Sequence, residues 1–180
     1  VGGQRGLGDL GDEGGVAGAV VARHRARPGH APVQRALEQV DADVDLPAPE
    51  AASFAAAGLA SDHEAWTAEE AWEKLRRGIF LEIRPHSMPE IIEGLLARGL
   101  TDWSQVAFAT DDRSASETLE KGATDHNVRL AIDWGLSPET ALRCVTLNPA
   151  RHMRLTPWVG SLAPGRFADV VLLGDIGRIG

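Results

Sequence analysis

An α/β fold with a parallel sheet is what this sequence predicts, on three observations. From residue 51 onward, short apolar runs alternate with segments of helical periodicity; the connections between them are short; and polar strings close the apolar runs. Strand, helix, strand with short connectors implies right-handed crossovers, which bring the C-terminal ends of neighbouring strands to one rim. Chemistry-bearing residues in an α/β fold collect at that rim.

The elements follow in order. Leu59 to His63 reads as a strand, and Thr67-Ala68-Glu69-Glu70 is a capping box that starts a helix running through Trp72 and Leu75 to Gly78. Ile79 to Ile83 is a buried-type strand ending in Arg84. Pro89 opens a helix whose Ile91, Ile92, Leu95 and Leu96 share one face before Gly99. Val106 to Ala109 is the next strand, closed by Thr110-Asp111-Asp112. Ser114 with Glu117 forms a second capping box, leading one long helical stretch through His126, Val128, Ile132 and Trp134 to Gly135. A last helix starts at Ser137-Pro138. Beyond it, Asn148-Pro149-Ala150-Arg151 reads as a turn, locked by Arg151 and His152, that feeds a further strand at Val170 to Leu173.

Composition bounds the function. With 43% hydrophobic and 24% charged residues, the 180-residue chain can bury a core. A net charge of -8, with Arg23, Arg25 and Arg27 as the one basic cluster, argues against a nucleic-acid partner. No apolar stretch approaches the ~20 residues that span a bilayer, so no membrane role is expected. A single cysteine, Cys144, rules out an internal disulfide framework and points to the cytoplasm. The chain starts at Val1 without a signal-peptide pattern, and the expectation is a piece of a longer protein. Residues 1–50, rich in Gly, Ala, Asp and Pro with weak periodicity, read as a divergent or poorly ordered segment.

Two strings carry the chemistry: Ser61-Asp62-His63-Glu64 and Thr110-Asp111-Asp112-Arg113. A histidine and an aspartate at the ends of successive strands suit a hydrolase that binds a metal and activates water. The plainer reading makes each string a polar strand end, with Asp62 or Asp111 as a helix N-cap.

The order of the strings adds a resemblance. Thr-Leu-Asn-Pro-Ala-Arg, then Gly-x-Leu-Ala-Pro-Gly-x-x-Ala-Asp-Val-Val-Leu from Gly160 to Leu172, resembles the closing segment of the amidohydrolase superfamily. With the two upstream strings and Asp125-His126-Asn127-Val128-Arg129 between, the chain resembles its adenine deaminase branch over residues 55 to 175. The resemblance implies a partial (β/α)8 barrel of the TIM type, roughly strands 4 to 8, with a C-terminal strand of a small β-sandwich. A complete barrel takes ~250 residues, so these 180 hold its second half. The implied domains are residues 51–155 for the barrel and 156–180 for the start of the sandwich.

The same resemblance implies residue roles. His63 matches the metal-binding histidine after the sixth strand and Asp111 the aspartate after the eighth. His30, in Gly29-His30-Ala31-Pro32, matches the histidine after the fifth. Asp9 falls where a bridging glutamate is carried, with an acidic solvated loop as the alternative. The His-x-His pair that follows the first strand has no counterpart here, since no two histidines lie two apart. Asp111, His63 and Glu64 are the implied catalytic residues, His63 being oriented by Asp62 or Glu64; Glu64 touching the substrate is the other option. Arg84, Ser87 and Asp112 are the implied substrate-binding residues, with a salt bridge as the alternative for Arg84 and pairing with Arg113 for Asp112. The implied cofactor is a divalent metal, Mn or Fe before Zn, and the implied partner a small-molecule purine, with a homo-oligomer left open.

Hydrolytic deamination of adenine to hypoxanthine and ammonia is the function so implied. Alternatives are another amidohydrolase acting on a cyclic amide or aminated heterocycle, and a noncatalytic piece. His126 and Arg129 read as polar packing against the barrel end, and the five tryptophans as core and rim packing.

Overall fold

Parallel strands whose side chains alternate between two faces organise this chain. A computed structural model describes residues 52–53, 55–111 and 113–175, together with the backbone of residues 20–21 and 41–42. The expected site residues Asp9, His30 and Asp112 lie outside the described residues.

Strands β1 (Val20–Val21), β2 (Asp41–Ala42), β3 (Ser61–Asp62), β4 (Phe80–Ile83), β5 (Val106–Phe108) and β6 (Val171–Leu172) form two sheets. The larger is parallel, in the order β2-β3-β4-β5. Asp62 pairs with Leu81, and Leu81 in turn with Val106. The smaller is the antiparallel pair β1-β6. Helices α1 (Ala68–Arg76), α2 (Met88–Ala97), α3 (Ala115–Lys121), α4 (Thr124–Asp133), α5 (Pro138–Val145) and α6 (Leu147–His152) fill the connections.

Alternation along the strands sorts the residues. Leu81, Ile83, Val106 and Phe108 face the helical layer, where they pack with Met88, Ile91, Ile92 and Leu95 of α2, Val128 and Ala131 of α4, and Ala141 and Cys144 of α5. Phe80, Glu82, Ala107 and Ala109 share the opposite parity and line a cleft of about 390 Å³ on the other face. One end of that face is covered by α6, whose His152 ring stacks on Phe80 at 4.0 Å. Burial pushes the Cys144 thiol up to about 12, as expected for an inert core cysteine.

Local chemistry starts and stops the helices. Both capping boxes form: Thr67 Oγ1 accepts from Glu70 N while Glu70 accepts from Thr67 N, and Ser114 with Glu117 repeats the exchange. Asp62 and Asp111 are therefore not the N-caps of the plainer reading. Gly94 lets α2 approach α1 closely, because a methyl group at that position would collide with the Cβ of Ala68.

Four expectations need correction. The strand expected at Leu59 to His63 is reduced to Ser61–Asp62. The single long helix expected after Ser114 is two, α3 and α4, because Gly122 adopts φ 93 and ends α3. Asn148-Pro149-Ala150-Arg151 is helical rather than a turn: Pro149 sits in the first turn of α6, where its missing N–H costs nothing, and the buried Asn148 amide donates to Trp103 O at 2.8 Å and Val106 O at 2.9 Å. His126 and Arg129 do not pack in the interior. Arg129 pairs with Asp125 at 2.9 Å on the surface, and the buried polar residue of α4 is Asn127.

Candidate active site

Three strand ends meet at one rim. His63 follows β3, Arg84 follows β4, and Asp111 stands three residues after β5. By strand parity His63 belongs with Ser61, Arg84 with Phe80 and Glu82, and Asp111 with Ala107 and Ala109, and of the three it is Asp111 that lines the cleft. Asp111 and Thr110 close the cleft at this end.

Arg84 is the hub. Its side chain is 8% exposed, and the two arms of its guanidinium donate to Glu64 Oε1 at 2.7 Å and Oε2 at 2.8 Å. The arm on Oε1 also reaches Asp111 Oδ2 at 2.8 Å. Glu64 Oε1 in turn lies 3.5 Å from His63 Nε2. An unbroken series of contacts therefore joins His63, Glu64, Arg84 and Asp111. Burial alone would pull the Arg84 pKa down, but hydrogen bonds and charge from Asp111 and Glu64 outweigh it and hold the guanidinium above its ordinary value. Arg84 is a permanent cation here. Trp66, half-exposed, lies over that cation at 4.7 Å from its ring centroid.

The backbone contributes as well. Asp111 has φ 48, a left-handed conformation that aspartate tolerates better than most residues and that turns the chain sharply at the strand end. Arg113 N donates to Asp111 O at 2.8 Å across this turn. The Arg113 side chain reaches away, donating to Gly122 O at 2.6 Å, Ala123 O at 3.1 Å and Asn127 Oδ1 at 3.2 Å, and so ties the segment before α3 to the junction of α3 and α4.

Of the expected site residues, the structure brings together His63, Glu64, Arg84 and Asp111. Both options for Arg84 coexist at one place, since its salt bridges are made to site carboxylates. Ser87 is buried, and its Oγ donates to the carbonyl of Arg84 at 3.4 Å, a contact that fixes the turn after β4. Of the two residues offered as orienting His63, Glu64 places Oε1 3.5 Å from its Nε2. Asp62 points into the helical layer, where its Oδ1 accepts from Lys74 Nζ at 2.7 Å and from Glu64 N at 3.0 Å. Lys74 and Trp66 were not legible as site residues. The signals that could have found them are a lysine one helical turn from Ala71 on the buried side of α1, and an aromatic three residues after the histidine.

His63 and Asp111 offer the donor chemistry of a divalent-metal site, a neutral imidazole and a carboxylate. They fit such an ion in kind and fall short in number: among the described residues, no group of three or more His, Cys, Asp or Glu is placed to hold a metal ion.

Comparison with known proteins decides the family. The amidohydrolase family model matches residues 80–176, just over half of the chain. The chain belongs to the amidohydrolase family. Membership implies an α/β-barrel hydrolase architecture and a divalent metal. This amidohydrolase chain is similar to adenine deaminase 2 of Jannaschia sp. (strain CCS1), 73% identical over 124 residues, or 69% of the chain and 20% of that protein. It is 59% identical over 165 residues to adenine deaminase 1 of Bradyrhizobium sp. (strain ORS 278), covering 92% of the chain and 25% of the relative. A match of that length necessarily reaches into the first fifty residues. It is also 40% identical over 133 residues to the adenine deaminase of Rubrobacter xylanophilus (strain DSM 9941 / JCM 11954 / NBRC 16129 / PRD-1), covering 71% of the chain and 22% of that protein. The chain thus spans a fifth to a quarter of the length of the curated relatives it matches. Among the described residues, no helix is long and apolar enough to cross a membrane.

Proposed function

We propose that the protein carrying this chain deaminates adenine hydrolytically to hypoxanthine and ammonia, and that residues 51–155 are the second half of its barrel, with residues 156–180 opening a β-sandwich. One observation carries the reading: the contacts that link His63, Glu64, Arg84 and Asp111 across the ends of three parallel strands. Relatives that bear the name adenine deaminase select the substrate.

The reaction forms a bond from water oxygen to the ring carbon bearing the amino group and breaks that carbon–nitrogen bond, releasing ammonia. A divalent metal, Mn or Fe before Zn, supplies water of lowered pKa near ~7 when bound. His63 and Asp111 would hold it, with His30 and Asp9 as further donors. The rest falls to the chain. Asp111 accepts the proton of the attacking water and returns it to the departing nitrogen, as general base and then general acid. The Arg84 guanidinium holds Asp111 in place through its Oδ2. Glu64, held by both arms of Arg84, orients His63 or contacts the purine. Asp112 and the Ser87 turn complete the substrate side. Action on a free purine without nucleic acid fits the acidic composition, and the single cysteine fits the cytoplasm.

Ammonia release from adenine by the intact protein, loaded with Mn(II), Fe(II) or Zn(II), tests the proposal. Stoichiometric ammonia and hypoxanthine are expected. Turnover of a cyclic amide or another aminated heterocycle in place of adenine would move the protein to a different branch, and absence of both turnover and bound metal would make the chain a noncatalytic one.

A further inference from the structure

The ion pair between Lys74 and Asp62 sits behind the rim, in the layer between β3 and α1. Its side chains are 1% and 0% exposed, and Nζ to Oδ1 is 2.7 Å. A pair that deep is a weak stabiliser, because removing two charges from water cancels most of what their attraction returns, and apolar replacements are often neutral or better. This one carries a further handicap: Asp62 Oδ2 is buried with no hydrogen-bond partner among the described residues. Stability does not account for the pair.

Its connections do. Asp62 Oδ1 also accepts from the backbone N–H of Glu64 at 3.0 Å, and the Glu64 carboxylate grips Arg84, which grips Asp111. We propose that Asp62 is a positioning residue and Lys74 its buried counter-charge, which a neutral side chain at position 62 would not need: Asp62 Oδ1 anchors the Glu64 backbone, and Glu64 thereby sets the guanidinium that aims Asp111. Asp62 touches no substrate and works from behind the rim, through Glu64 and Arg84. The effect on catalysis rests on the deaminase reading; the anchoring of Glu64 does not.

Two double variants of the intact protein separate positioning from bulk stability. Asp62→Asn with Lys74→Met removes both charges and keeps an acceptor oxygen for Glu64 N. Asp62→Leu with Lys74→Met removes both charges and the acceptor. Both are expected to unfold at the same temperature. The asparagine variant retains kcat for adenine within about threefold and a slowly exchanging Glu64 amide. The leucine variant loses kcat by about tenfold or more, as is typical when the support of a site residue is removed, with KM little changed, and its Glu64 amide exchanges at least about tenfold faster. Equal kcat and equal amide exchange in the two variants would overturn the inference. Should the wild-type protein leave adenine intact, the deaminase reading falls alone, and the amide-exchange contrast decides the anchoring.

Discussion

Removing the positive charge of Arg84 exposes what it does for the rim. In Arg84→Met the three hydrogen bonds to Glu64 and Asp111 disappear, and two carboxylates that shared one guanidinium nitrogen at 2.7 Å and 2.8 Å now face each other. Their oxygens lie at most about 5.5 Å apart, where like charges repel by about 3 kcal/mol at an effective dielectric constant of about 20. Side-chain exposures of 17% for Glu64 and 26% for Asp111 let water screen part of this, and one carboxylate can swing outward. Loss of the charge-assisted bonds adds to the repulsion, so a net cost of about 2–4 kcal/mol is expected. For a cooperative unit of about 150–250 residues that lowers Tm by roughly 5–15 °C. Thermal unfolding followed by circular dichroism at low salt measures it, with Arg84→Lys, which keeps the charge and loses the fork, falling between. A Tm for Arg84→Met within about 2 °C of wild type would refute the claim that Arg84 holds the rim together.

Two further outcomes test the scaffold. Gly94→Ala must push α2 away from Ala68 of α1 and is expected to cost about 1–3 kcal/mol in chemical denaturation, with Ala68→Gly in the same chain recovering part of the loss. The His126 imidazole is held below its ordinary value by burial first and by Arg113, Arg129 and Lys121 after it. A base with a depressed folded pKa contributes stability that is present above its unfolded value of about 6.5 and is lost as pH falls through the folded value. His126→Gln should therefore flatten the fall of Tm below pH ~6.5, and an unchanged profile would remove that assignment.

Much of the fold was legible because its signals are local. Thr67 with Glu70 and Ser114 with Glu117 marked helix starts that depend on three-residue hydrogen bonding, and the apolar runs at Ile79 to Ile83 and Val106 to Ala109 marked strands that form at Phe80–Ile83 and Val106–Phe108. Errors arose where a single residue decides between continuations. Gly122 splits what periodicity joined, and Asn148 turns a proline-containing string into a helix through bonds to carbonyls more than forty residues away. At the rim, His63 and Asp111 stood out because each closes an apolar run. The role of Arg84 as the link between them was visible only in space, since its partners lie 20 and 27 positions away. Lys74, among Glu69, Glu70, Glu73, Arg76 and Arg77, reads as one more charge on a solvated helix; only the tertiary contact with Asp62 shows it to be buried.

Asp111→Asn in the intact protein is the most direct test. The amide keeps the shape of the side chain and removes its capacity to take a proton. Ammonia release from adenine should fall by about a thousandfold or more, given about 10²–10⁴-fold for a lost general base and a further loss if metal binding weakens, while Tm moves by only a few degrees. An Asp111→Asn protein that deaminates adenine within about threefold of wild type would contradict the assignment of catalysis to this rim.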